Sequence, residues 1–206
     1  MCPRHVSPRH GTFSTAVLAA CLALAVTHAE PRATKRDAEL LKQKVASIQR
    51  HADQGSTQPR RTTVTESEVN AYLVFEAKEQ IPVGVVQPSI SILGIGRLSA
   101  RAVVDLDAVR KAKNPTSLLD PMNYLTGRLP ITATGVLTTS NGVGHFNLES
   151  ASVSSLPLPK FLLQEIISYY SRTSEKPAGV SLDDPFALPS RIREIQVQRG
   201  QAIIVQ

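Results

Sequence analysis

Tryptophan is missing from this 206-residue sequence, cysteine occurs twice, and aromatic residues contribute 4% of it. Each shortage narrows the chemistry. Without indole rings and with few other aromatics there is little stacking platform for sugars or bases, which counts against a glycosidase and against a nucleic-acid binder. Both cysteines, Cys2 and Cys21, precede residue 30. A chain cut after Ala29 keeps no thiol, so its stability rests on packing alone even in an oxidising compartment. Histidine is scarce as well, since only His51 and His145 follow Ala29. A histidine-based triad therefore has few candidates, no Gly-x-Ser-x-Gly elbow occurs, and two imidazoles without thiols make a poor metal set.

The remaining polar candidates read as structural. Asp105 and Asp107 share one strand face with no histidine nearby and are expected to form a solvated edge. His145 alternates with Phe146 and so faces solvent, while Asp183-Asp184 before Pro185 forms a turn. Glu165 with Asp183-Asp184 could supply the paired carboxylates of a glycosidase, but the aromatic platforms that sugars need are lacking. The expectation is a protein that is not an enzyme, with no metal or other cofactor.

The first 29 residues have the layout of a secretory signal peptide. Arg4 and Arg9 precede the apolar run Thr15 to Val26, and small residues occupy Thr27 and Ala29. At about a dozen residues the run is well short of the roughly 20 that span a bilayer. Leu18-Ala19-Ala20-Cys21 also has the form of a lipoprotein cleavage site, but apolar Leu22 to Val26 follow it. Either processing route implies a periplasmic or extracellular location. Loss of the leader lowers the formal charge from +6 to about +4. The basic residues are scattered, which leaves weak attraction to an anionic lipid surface and no nucleic-acid stripe.

Residues 30–61 are expected to hold an amphipathic helix, Lys35 to Arg50 with Leu40, Leu41, Val45 and Ile48 on one face. The polar joint His51 to Arg61 then lets it sit apart from the body, so that it could pack on the body or reach a membrane. A single α+β domain then occupies residues 62–206. Thr65-Glu66-Ser67-Glu68 is a capping box that starts a helix at Glu66. Pro82 is its expected stop, with Val69, Tyr72 and Leu73 inward and Glu68, Lys78 and Glu79 outward. A strand from Val83 to Leu93, with Val86, Ile90 and Ile92 on one face but broken by Pro88 and so expected at an edge or bent, turns at Gly94-Ile95-Gly96 into Arg97 to Leu106. There Leu98, Ala100, Ala102, Val104 and Leu106 alternate with polar residues, the mark of a half-buried strand. After a short helix and loop, with Leu118, Leu119, Met122, Tyr124 and Leu125 over part of the core, a second hairpin runs from Arg128 to Ser154. It turns at Asn141-Gly142 as type I′. Phe161 to Arg172 is a helix apolar on more than one face, with Tyr169-Tyr170 near its end. Pro185 to Pro189 docks back, and a third hairpin turns at Arg199-Gly200.

Thr65-Glu66-Ser67-Glu68-Val69-Asn70-Ala71-Tyr72-Leu73, the hairpins after it, Phe186-Ala187-Leu188-Pro189, Ile192 and Val197-Gln198-Arg199-Gly200 carry a likeness over about residues 62–206. In these parts the chain resembles small bacterial envelope proteins of the tubular lipid-binding (TULIP-like) superfamily. The resemblance implies a curved antiparallel sheet of hairpins wrapped around a long apolar helix, with a groove for acyl chains between them. The N-terminal amphipathic helix is an addition to that plan. No ligand position transfers from the family, so the lining candidates come from burial pattern: Val69, Leu73, Ile90, Ile92, Leu98, Val104, Ile131, Leu137, Phe146, Leu148, Leu162 and Ile166. The expected function is a non-catalytic carrier of lipid or another long apolar ligand. The alternative is an envelope assembly or scaffold module with a filled core, binding envelope proteins through its sheet edges and first helix.

Overall fold

The computed structural model describes residues 33–56, 58–113, 126–172 and 174–206. The expected leader and the group Leu118, Leu119, Met122, Tyr124 and Leu125 lie outside the described residues. In chain order the elements are α1 (Lys35–Asp53), β1 (Arg61–Thr65), α2 (Glu66–Phe75), β2 (Val85–Gly94), β3 (Arg97–Asp105) and α3 (Leu106–Lys113). They continue with β4 (Arg128–Ser140), β5 (Val143–Val153), β6 (Leu156–Pro157), α4 (Lys160–Ser171), β7 (Phe186–Ala187), β8 (Glu194–Gln198) and β9 (Gln201–Val205). The fold is α+β. One large antiparallel sheet is ordered β2-β3-β4-β5-β6 with β7 also on β5, and a three-stranded sheet is ordered β1-β9-β8.

Local chemistry builds the hairpins and two bulges set their faces. Asn141 and Gly142 both take positive φ, 50° and 81°, the left-handed pair that a type I′ turn requires. β3 pairs with β4 unbroken from Arg97↔Val136 to Asp105↔Arg128. β2 carries one residue more than β3 between Val86↔Val103 and Ser89↔Arg101. Gln87 there has φ +52°, and Pro88 has no N–H to give a ladder. The bulge inverts parity, so Val85 and not Val86 shares the side of Ile90 and Ile92, contrary to the plain alternation. In β5 the extra residue, Glu149, falls between Leu148↔Gly135 and Ser150↔Thr134. It explains why the apolar positions change from Phe146 and Leu148 to Ala151 and Val153 while staying on one side.

The capping box forms as expected. Thr65 Oγ1 accepts from the Glu68 N–H at 3.3 Å, and the Glu68 carboxylate accepts from the Thr65 N–H at 2.9 Å. The helix it starts stops at Phe75, well before Pro82. Glu76 and Ala77 both donate their N–H to Tyr72 O at 2.9 Å, Ala77 is buried, and the Glu76 carboxylate accepts from Lys42 of α1 at 2.8 Å. Glu68, expected to face water, is buried along with Ala71, whereas Val69, Tyr72 and Leu73 are half-buried. The reason is α1, which lies on that side: Lys44 donates to both Glu68 carboxylate oxygens at 2.7 Å and to Thr63 O at 2.7 Å.

α1 runs past Arg50 to Asp53 and buries Ala38, Leu41 and Ile48. Of the two placements open to it, it takes the one against the body. Arg60 donates to Ser47 Oγ at 2.7 Å, and Arg60 and Gln206 exchange main-chain hydrogen bonds at 2.9 and 3.3 Å. The core proper gathers at this end, where Ile48, Leu188 and Ile192 pack with Ile195 and Ile204. Thr139 joins the two sheets with one hydroxyl, which accepts from Ile195 N–H at 2.7 Å and donates to Ile195 O at 3.1 Å.

α2 also closes the outer edge of β2. Ile90 N–H donates to Asn70 Oδ1 at 2.7 Å and Asn70 Nδ2 donates to Ile90 O at 2.8 Å. Ile92 N–H donates to Glu66 Oε2 at 2.6 Å, and Gly200 N–H donates to Ile92 O at 2.8 Å. Side chains of α2, with one main-chain N–H from Gly200, thus take the place of a neighbouring strand. Asn70→Ala leaves both main-chain groups of Ile90 without partners. Urea unfolding is expected to show a loss of about 1–3 kcal/mol, with faster amide exchange at Ile90 than at Ala133. Unchanged stability and exchange would show that the edge does not depend on α2.

Candidate apolar binding face

The registers bring the alternating apolar residues of four strands into rows across the large sheet. Ile92, Leu98, Gly135 and Leu148 form one row; Ile90, Ala100, Ala133 and Ala151 form the next; Ala102, Ile131 and Val153 follow. Val85, Val104 and Leu129 close one end and Leu137 with Phe146 the other. Gly135 is glycine for a local reason. A Cβ there would lie 2.5 Å from Phe146 Cζ and 2.5 Å from Asn147 O, so the Phe146 ring lies across it.

This face is only partly covered. Ile92 is buried, but Ile90, Leu98, Val104, Ile131, Leu137, Phe146 and Leu148 are half-buried, and Ala100 at the middle of the central row is exposed. No large side chain among the described residues is fully withdrawn from solvent. Val69 and Leu73 are half-buried on α2 beside the β2 edge. Leu162 and Ile166 do not join the others, being 42% and 44% exposed on α4.

Around that helix the structure shows only partial burial. α4 buries Leu163 and leaves Phe161 66% exposed. Gln164, Ser168 and Ser171, spaced along one side, hold the chain near Val180. Val180 N–H donates to Ser171 Oγ at 2.7 Å, Leu182 N–H to Gln164 Oε1 at 2.7 Å, and Gln164 Nε2 to Val180 O at 3.0 Å. A polar stripe therefore claims a side that apolar counting alone assigns to the core. The side chains of Tyr169 and Tyr170 lie outside the described residues.

Two recesses occur elsewhere. One of about 340 Å³ is bounded by His51, Leu188, Arg191, Ile192 and Arg193, and one of about 710 Å³ by Leu93, Ile95, Arg97, Val136, Val197 and Arg199. Neither contains any of the twelve residues picked from the sequence. The candidate site is an open face and not one of these recesses.

The carboxylates serve the fold. β3 ends at Asp105, so Asp107 lies in α3 and the two do not share a strand face. Asp105 Oδ1 accepts from Ala108 N–H at 3.0 Å, capping α3, and Oδ2 accepts from Arg128 Nε at 3.2 Å. Asp107 accepts from Arg110 at 2.7 Å and from Gly127 N–H at 3.0 Å. Asp183 pairs with Lys160, Glu165 is exposed, and His145 is exposed opposite Thr138. Among the described residues no three His, Cys, Asp or Glu side chains group to hold a metal, and no helix is long and apolar enough to cross a membrane.

No family model matches the chain, and no curated protein sequence matches it. Among solved structures, a crystal structure of lipopolysaccharide binding protein matches at 17% identity with a TM-score of 0.22, over 71% of this chain and 40% of that one. The chain thus spans under half of that protein's length, and so loose a superposition fixes neither fold nor ligand.

Two measurements check the face and its border. Gly135→Ala drives a methyl into Phe146 and the β5 backbone. It should cost about 1–3 kcal/mol in chemical denaturation and shift the Phe146 ring resonances; a neutral outcome means the ring does not lie over Gly135. The Ala108 hydrogen bond, and then Arg128, hold the Asp105 carboxyl below its ordinary range against partial desolvation. Its folded pKa is therefore below the unfolded one, and its stabilisation is complete above the unfolded carboxylate range and lost as pH falls through the folded pKa. Thermal unfolding across acid pH should show a shallower decline in Asp105→Asn than in the unaltered chain, while an identical decline would remove Asp105 from the acid response.

Proposed function

We propose that this chain is a non-catalytic, exported binder of a lipid or another long apolar ligand, seated on the apolar face of the large sheet. One observation carries the reading: four strands align their apolar residues, yet the centre of that face, at Ala100, is exposed while the buried cluster lies at the opposite task of joining α1 to the small sheet. A half-covered apolar face with an exposed centre offers an apolar ligand surface to bury. Burial of a dozen acyl methylenes there would supply roughly 10 kcal/mol before ordering costs, with no polar selectivity required. In this reading the half-buried rows narrow into a curved groove, and Leu162 and Ile166 stay outside it on α4. The superfamily resemblance of the Thr65 to Leu73 segment is consistent with it.

A scaffold that works through a free first helix and free sheet edges has less support. α1 is held to the body by Lys44 and Lys42, and the β2 edge is occupied by Asn70 and Glu66. The test uses Ala100→Asp, which sets a charge at the centre of the face at a position already in solvent, so stability should change by no more than about 0.5 kcal/mol. Uptake of a fluorescent fatty acid by the unaltered protein is expected, together with lipid retained in native mass spectrometry after detergent-free purification. The variant should lose uptake at least about tenfold. Absence of binding in the unaltered protein, or full uptake by the variant, would overturn the reading.

A further inference from the structure

Two hairpin tips meet at one end of the molecule, Gly94-Ile95-Gly96 between β2 and β3 and Arg199-Gly200 between β8 and β9. Main-chain bonds lock them together: Gly200 N–H donates to Ile92 O at 2.8 Å, Gly96 N–H to Val197 O at 3.3 Å, and Leu137 N–H to Gly96 O at 2.8 Å. At the crest stands Ile95, 97% exposed with φ +53°. A β-branched residue in the left-handed region is disfavoured, and a bare isoleucine in water adds a second cost. Asparagine or glycine would fit this backbone without either. The next position is held to glycine, since a Cβ on Gly96, at φ +77°, would sit 2.9 Å from Leu137 O.

The surroundings match one kind of surface. Leu93 is 45% exposed beside Ile95, and Val136 and Val197 floor the recess of about 710 Å³ between the tips. Its charged walls are Arg97 and Arg199, with no acidic residue in the lining. Arg97 also reaches Glu149 at 2.8 Å, whereas Arg199 is exposed and forms no ion pair among the described residues. An apolar crest flanked by guanidinium groups is complementary to the interface of an anionic bilayer, where methyl groups enter the acyl boundary and cations stay among the headgroups.

We propose that this double tip docks on anionic lipid membranes, with Ile95 and Leu93 entering the interface and Arg199 and Arg97 contacting the headgroups. Docking does not require the sheet face to hold a ligand. Co-sedimentation of the full chain with phosphatidylcholine vesicles, with and without phosphatidylglycerol, tests it. Binding should need phosphatidylglycerol and weaken with salt. Ile95→Asn should bind at least about tenfold less while its Tm rises, because asparagine accepts the left-handed backbone. Arg199→Gln should bind about fivefold less. Fatty-acid uptake should persist in Ile95→Asn, and vesicle docking should persist in Ala100→Asp, so failure of one proposal is distinguishable from failure of the other. Equal binding to both vesicle types, undiminished binding by Ile95→Asn, or self-association of the chain abolished by Ile95→Asn in place of vesicle binding would overturn it.

Discussion

Ile90 has no strand on its outer side, and the pair of hydrogen bonds it exchanges with Asn70 is the constraint from which the rest of the arrangement follows. With Asn70 on Ile90 and Glu66 on Ile92, α2 must lie along the β2 edge. α1 then lies against α2 through Lys44 on Glu68, a carboxylate that also closes the helix start. β1 enters α2 directly at Thr65 and pairs with β9, so the small sheet is fixed by the same few residues. The segment Thr65 to Leu73 is thus a clamp in which nearly every polar residue has a stated partner. Its pattern follows from main-chain geometry at a sheet edge and needs no ligand to explain it.

That clamp has a consequence for where apolar surface goes. α2 seals the edge of the large sheet and does not lie across its face. Among the described residues the other helices are engaged elsewhere: α1 with Ile48 against Leu188 and Ile192, α3 with Val109 at Gly84, and α4 by its polar stripe to the Val180 segment. An antiparallel sheet ordinarily packs one face on a core. Here the rows through Ala100 and Ala102 keep solvent contact instead, and the bulges at Gln87 and Glu149 are what make those rows continuous. Without the β5 bulge, Ala151 and Val153 would point away and the apolar face would be narrower by half of a strand.

The elements most legible in the sequence are those fixed within a few residues. Alternation from Leu98 to Val104, the Asn141-Gly142 turn and the Thr65 box each depend on neighbours in the chain, and each forms as its chemistry demands. Parity across Pro88 was not legible, because a bulge is a bargain between two strands and Val86 alone does not show it. Nor was the outward placement of Leu162 and Ile166, since apolar counting ignores the pull of Gln164, Ser168 and Ser171 on a distant loop. Glu68 reads as exposed until Lys44 is brought to it. The core residues Ile48 and Leu188 lie far apart in the chain and share no period with one another, so no local pattern marks them as partners.

Ile95 and Ala100 belong to the same argument from opposite directions. A position that can take almost any residue without loss, such as an exposed strand alanine, says little by its identity; what matters is that its exposure leaves the middle of an apolar field unroofed. A tip position with φ +53° strongly disfavours isoleucine, so there the identity itself is the signal. Both are places where folding by itself would have chosen otherwise, a cover over Ala100 or an asparagine at Ile95. Real chains depart from local consistency where another demand competes. The two departures lie on the same strands, Ala100 in β3 and Ile95 in the turn that begins it, so a surface at the tip and an apolar field behind it are joined by the short run Gly96 to Ser99.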